Sequence, residues 1–249
     1  MISFESEISR PVAVPVCGEP GQSCLDFHEP GTYELTFGSN EKRTETVTLP
    51  EPLNLDTAWT VEFPLQDFNG NPTSVKTATF DKLISWTDSP DEAIKFFSGC
   101  GTYTKTFTVP ENLRQNGLRL VLDLGKAEMM AQVELNGKDL GVLWKTEKTI
   151  DVTEIISGGE NRLKISVTNS WPNRLAGDAT LPASDERNEN GTLKSWPQWM
   201  LDGKDDPNGR TTFCMWNLWR KDDKLVPSGL IGPVRLSPVK RVVVHQDAK

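Results

Sequence analysis

Apolar and polar residues alternate with a period of two along most of this chain, in short runs broken by Gly, Pro and Asn. In AWTVEFPL, Trp59, Val61 and Phe63 share one side, and in LKISV the same holds for Leu163, Ile165 and Val167. Successive strand side chains point to opposite faces, so this spacing predicts strands with one buried face. TYELTF and RTETVTL, separated by Gly38, Ser39 and Asn40, read as a hairpin within residues 32 to 49. Val133 and Leu135 run into Asn136-Gly137 and Leu140, Val142 and Trp144 return, which predicts a type I′ hairpin. GTYTKTFTVP sets Tyr103, Lys105, Phe107 and Val109 on one face against threonines and stops at Pro110. One short helix is expected after Asp81, with Ser89 as N-cap and Pro90 at its first position.

Evenly spaced antiparallel strands imply an all-β sandwich. The proline-bearing PEPLNL marks a boundary, leaving a small N-terminal β segment over residues 1 to 52 and the main sandwich over 53 to 249. From Ser170 to about Val226 the alternation stops. That polar excursion holds five of the eight tryptophans, which argues against disorder, and irregular stretches of such length are usually functional otherwise.

No apolar run approaches the roughly 18 to 20 residues of a membrane helix, so a membrane role is not expected. The net charge of −8, without a Lys/Arg stripe, disfavours nucleic acid. The four cysteines are Cys17, Cys24, Cys100 and Cys214. A Cys17–Cys24 disulfide around CGEPGQSC is one reading, and Cys100 and Cys214 read as small buried hydrophobes. With two histidines, His28 and His245, no zinc-finger spacing occurs. MISFESEISR lacks the basic start and apolar stretch of a signal peptide, so the chain reads as cytoplasmic or as a fragment.

The ordered segments FSGCGTYTKTFTVP (97 to 110), LDLGKAEMMAQVELNGKDLGVLW (122 to 144) and IDVTEIISGGENRLKISVTN (150 to 169) resemble the sugar-binding domain of glycoside hydrolase family 2, a galactose-binding-like jelly roll. SWPNRLAGD (170 to 178), WPQWMLDG (196 to 203), GRTTFCMWNLW (209 to 219) and LVPSGLIGPVRL (225 to 236) resemble the C-terminal region of family 106 α-L-rhamnosidases. The resemblance implies a non-catalytic accessory domain of a rhamnosidase-like hydrolase. The catalytic (β/α)₈ barrel is expected elsewhere in a parent protein of periplasmic or secreted location. Residues 1 to 52 would then be closing strands of a preceding domain.

Sugars stack CH faces on aromatic rings and offer hydroxyls to polar side chains, so the excursion is chemically suited to carbohydrate. The aromatic candidates are Trp171, Trp196, Trp199, Trp216 and Trp219, with Asn173, Arg174, Asp178 and Arg210 as polar partners. The plainer alternative is that these residues tie the loop down or anchor it on a catalytic domain. Trp216 and Trp219, after a strand-like run, are expected in the core. Asp202, Asp205 and Asp206, with Asn208, are a candidate structural calcium site, although a solvated turn fits the spacing better. No other cofactor is expected. Stand-alone hydrolysis would need paired carboxylates such as Asp185, Glu186 and Glu189 across a cleft. A scaffold without ligand is the remaining reading.

Overall fold

The computed structural model describes residues 13–17, 23–36, 42–144, 148–217 and 219–244. The chain opens with β1 (Ala13–Cys17), β2 (Ser23–Phe27), β3 (Gly31–Thr36) and β4 (Lys42–Val47). After the PEPLNL link come β5 (Leu53–Asn54), β6 (Trp59–Gln66), β7 (Pro72–Phe80), helix α1 (Glu92–Lys95) and β8 (Cys100–Thr108). Next follow β9 (Leu118–Asp123), β10 (Lys126–Ala127), β11 (Met130–Leu135), β12 (Lys138–Leu143), β13 (Thr149–Asp151) and β14 (Glu160–Thr168). The excursion contributes α2 (Pro172–Asp178) and α3 (Gln198–Leu201), and β15 (Leu230–Gly232) and β16 (Arg235–Val244) close the fold.

Two six-stranded sheets result. One is ordered β1-β2-β16-β9-β13 with β5 on β16, and the other β12-β11-β14-β8-β6-β7. The expected alternation builds the space between them. Trp59, Val61 and Phe63 of β6, Val133 and Leu135 of β11, and Leu163, Ile165 and Val167 of β14 are all fully buried. Leu120 and Leu122 of β9 and Leu236 of β16 join the same cluster from the first sheet. At the centre Trp86 donates its indole N–H to the Tyr103 hydroxyl, which also accepts from the Leu230 amide. Burial raises the Tyr103 phenol above its ordinary value, so it stays neutral. Gly101 lies so close to this ring pair that a Cβ would sit 2.7 Å from Trp86 Cζ2.

The fold is therefore the expected all-β jelly-roll sandwich. Asn136 and Gly137 both have positive φ, 54° and 80°, as a type I′ turn requires. Tyr103 of β8 and Val109 just after it are buried, whereas Lys105 is half-buried and donates to the Thr57 carbonyl. The short helix forms, but its N-cap is Asp91, whose side chain accepts from the Ala93 amide. Ser89, two residues earlier, instead accepts from the Asp91 amide.

Across β1–β2 it is Val16, not Cys17, that pairs with Cys24, and Cys24 is a buried free thiol. The one-residue offset in register corrects the disulfide reading. Cys100 and Cys214 are only partly buried. The β3–β4 hairpin pairs as expected, although its Gly38–Asn40 turn lies outside the described residues. Phe27, Val47 and Val242 form a second small core with Tyr33 and Leu35, while β2 hydrogen-bonds to the C-terminal part of β16.

Candidate functional site

Where the β6–β7 hairpin meets the excursion there is a cleft of about 580 Å³. The hairpin supplies Gln66, Asp67, Phe68, Asn69 and Thr73, Trp171 comes from the position just before α2, and α2 supplies Arg174. Thr211, Thr212 and Phe213 close the far side. Asn69-Gly70 makes the tight turn, with Gly70 at φ 81°. The Asp67 carboxylate accepts from the backbone and side-chain nitrogens of Asn71, at 2.8 and 2.9 Å. The Asn71 amide, together with further backbone donors, holds that carboxyl below its ordinary value.

Two contacts lock the turn to the excursion. Phe68 meets Trp199 edge-on with centroids 4.8 Å apart, and Asn69 Nδ2 donates to Asp205 at 3.0 Å. Pro172 at the start of α2 suits the first helical turn, and Arg174 and Asp178 stand four positions apart, so the two side chains meet on one face. Their ion pair is 2.7 Å long, with Asp178 almost wholly buried, and the guanidinium lies over the Phe96 ring. Arg174 is thus fixed against the cleft wall. Trp171 precedes it with 66% of its surface exposed.

The remaining polar candidates tie the loop down. Asp178 accepts from the amides of Thr211 and Thr212, at 3.0 and 2.8 Å, and from the Thr212 hydroxyl. Buried Asn173 both donates to the Val226 carbonyl and accepts from its amide. Arg210 donates to the Leu181 carbonyl at 2.8 Å. Trp199 donates its indole N–H to the Ser184 carbonyl and is half-buried. Trp196 is 49% exposed and tilts against Phe213, 5.8 Å away, so it extends the aromatic surface beyond the cleft. Of the candidates, the structure brings Trp171 and Arg174 into the cleft itself.

Two expectations are corrected. Trp216 is 53% exposed and Trp219 only partly buried, because the segment before them is held by isolated hydrogen bonds and presents no strand face to the core. Asp202, Asp205 and Asp206 do not converge on one point. Asp202 accepts from Gln198 and Lys204, Asp205 from Asn69, and Asp206 from Ser184 and the Asn208 amide. Among the described residues no group of three or more His, Cys, Asp or Glu is placed to hold a metal. The hydrogen-bonded turn takes up these oxygens instead.

Phe68 and Phe213 were not singled out from the sequence. An aromatic beside an Asn-Gly turn is the signal that was there for Phe68, since a turn leaves a large ring no core to enter. The paired-carboxylate requirement is not met here: Asp67 is the one acidic residue among the described lining, and Asp185 is bound to Arg187 at 2.6 Å elsewhere. Rings, amides, hydroxyls, one guanidinium and one carboxylate around a concave space are groups that bind a polyhydroxylated ring.

Residues 73–230 match the glycosyl hydrolase 2 galactose-binding domain-like family, and the chain belongs to that family. Over 209 residues it is 42% identical to a Formosa agariphila protein named "Putative beta-glucuronidase", an alignment covering 84% of this chain and 18% of that one. The rhamnosidase of Novosphingobium sp. PP1Y superposes with a TM-score of 0.57 at 25% identity, over 87% of this chain and 21% of the other. A Bifidobacterium dentium β-glucuronidase, at 23% identity and a TM-score of 0.49, matches 79% of this chain and 31% of its own length. The chain thus spans about a fifth of the first two. No helix among the described residues is long and apolar enough to cross a membrane.

Proposed function

We propose that this chain is the non-catalytic accessory sandwich of a larger glycoside hydrolase and that its cleft holds carbohydrate. One observation carries the reading: exposed Trp171 and the pinned guanidinium of Arg174 share a cleft with Phe68, Phe213 and a set of neutral amides and hydroxyls. Its volume falls within the roughly 300 to 1,000 Å³ of small-ligand sites. A parent that acts on rhamnose-containing glycans is supported by the coverage of the Novosphingobium enzyme. A parent acting on glucuronides is the second reading, favoured by the Formosa relative. In either case the catalytic carboxylates belong to another domain, the parent acts outside the cytoplasm, and residues 1 to 52 close a preceding β domain. Phe27 and Val47 of that segment pack in a small cluster apart from the main core, which supports the last point, although Val242 of β16 shares it.

The test is tryptophan fluorescence or calorimetry of the chain titrated with rhamnose, galactose, glucuronate, galacturonate and pectic oligosaccharides. Saturable binding lost in Trp171→Ala, with the melting temperature unchanged, supports the reading. Binding that survives Trp171→Ala places the sugar elsewhere, and no binding to any glycan leaves a scaffold.

A further inference from the structure

Every second side chain of β16 points the same way, and two of that set enter different cores. Leu236 joins the main cluster between the sheets, and Val242 joins the small one with Phe27 and Val47. Lys240 stands between them in the same phase, paired across to Phe27 of β2 and to Leu118 of β9. A cation thus occupies a position where the alternation expects an apolar residue, half-buried at the seam of the two cores.

Its ammonium opens onto a groove of about 370 Å³ that shares no lining residue with the cleft beside α2. Thr46 of β4 and Thr48 just after it contribute hydroxyls, and the turn between β8 and β9 contributes Asn112, Gln115 and Asn116. Gly117 of that turn, at φ 84°, leaves room for the lysine head: a Cβ there would lie 3.1 Å from Lys240 Nζ.

The polar groups of this groove are not used within the chain. Neighbouring Arg241 and Arg119 hold Asp26 and Asp151, whereas Lys240 has no carboxylate partner among the described residues. No acidic side chain is found among the groove's described lining, in contrast to Asp67 in the cleft. The side-chain amides of Asn112, Gln115 and Asn116 likewise bond to no other described residue. An ammonium seeks an anionic oxygen, and amides with hydroxyls offer the mixed donors and acceptors that a ring of sugar hydroxyls needs.

We propose that this groove is a second glycan subsite, which takes an acidic sugar residue with its carboxylate or sulfate on Lys240 and its hydroxyls on the amides and threonines. The inference rests on the carbohydrate reading for the sugar part of the ligand, and it assigns the charged part to a site apart from the cleft. The volume lies within the roughly 300 to 1,000 Å³ of small-ligand sites.

Calorimetry of the 249-residue chain tests it with galacturonate and glucuronate oligosaccharides, a sulfated disaccharide, their neutral counterparts and inorganic sulfate. The acidic sugars should bind roughly tenfold or more tighter than the neutral ones, and Lys240→Met should remove that advantage. Which of the two acidic kinds binds names the anionic group. Lys240→Met keeps an unbranched apolar stem, so the melting temperature should not fall. Asn116→Ala, at an exposed position, should weaken acidic sugars several-fold without touching the fold. Unchanged affinity in Lys240→Met would overturn the proposal, as would inorganic sulfate binding as tightly as the sugars. Trp171→Ala separates the two sites. Acidic-sugar binding that survives in Trp171→Ala and is lost in Lys240→Met, with neutral sugars unbound, keeps the groove and removes the cleft. Binding lost in Trp171→Ala and intact in Lys240→Met keeps the cleft and removes the groove, and no binding of any sugar overturns both.

Discussion

Phe68 and Trp199 meet edge-on, 4.8 Å between centroids, although one sits at a hairpin tip and the other in a segment 131 positions later. Through this pair the sheet end and the excursion become two walls of one cleft, and Asn69–Asp205 is the second tie beside it.

Trp199→Ala removes the aromatic pair, about 0.5–1.5 kcal/mol beyond its area. The excursion should then be cleaved by proteases several-fold faster, with the global melting temperature lowered by only a few degrees. Limited proteolysis with mass readout of cuts between residues 180 and 215 checks this; equal cleavage rates would show that the two walls are held by other contacts.

Asp178→Ala should cost more. The carboxylate serves two amides, a hydroxyl and Arg174, so its removal strands a half-buried guanidinium as well as buried donors. A loss of about 3 kcal/mol is expected by urea denaturation. Asp178→Asn, which keeps one acceptor oxygen, should lose less.

Gly101→Ala tests the packing around Trp86. The new methyl would press on Trp86 and Phe63 from within a strand, and overpacking of this kind costs roughly 1–3 kcal/mol. Thermal denaturation should show the drop; a neutral result would mean the Trp86 indole can shift without losing its bond to Tyr103.

Acid should weaken the fold partly through Asp91. The side-chain bond from Lys76 is the largest cause that holds its carboxyl below the ordinary value, and the Ala93 amide adds to it. A depressed folded pKa gives stability that is fully present above the unfolded value and is lost as pH falls through the folded one. Urea midpoints should therefore decline from about pH 4 downward. Lys76→Met should flatten that decline; an identical pH profile would assign it to other carboxylates.

The sandwich was legible because strand burial repeats every second residue. Trp59-Val61-Phe63 and Leu163-Ile165-Val167 needed no further information, nor did the Asn136-Gly137 turn. Periodicity failed in the excursion for a physical reason. There the shape is set by side chains bonding to distant backbone, as Asp178 does to Thr211 and Thr212, and no spacing encodes such partners. Trp216 looked like a core residue because it follows apolar neighbours, yet it bonds to the Asn190 carbonyl and faces solvent. The cleft was half legible. Trp171 and Arg174 stood out in the sequence, whereas Phe68 and Phe213 reach it only through the meeting of two remote segments.

Arg187 donates to its neighbour Asp185 and to the carbonyls of Gly191, Cys214 and Met215. One cation thus holds both ends of the loop that displays Trp196 and Trp216, and it binds backbone atoms that every sequence possesses. Exposed rings on that loop can be exchanged for others while its path is kept. The path of that loop and the rings it exposes are in this way written on different residues, which leaves one open to drift under selection while the other stays constant.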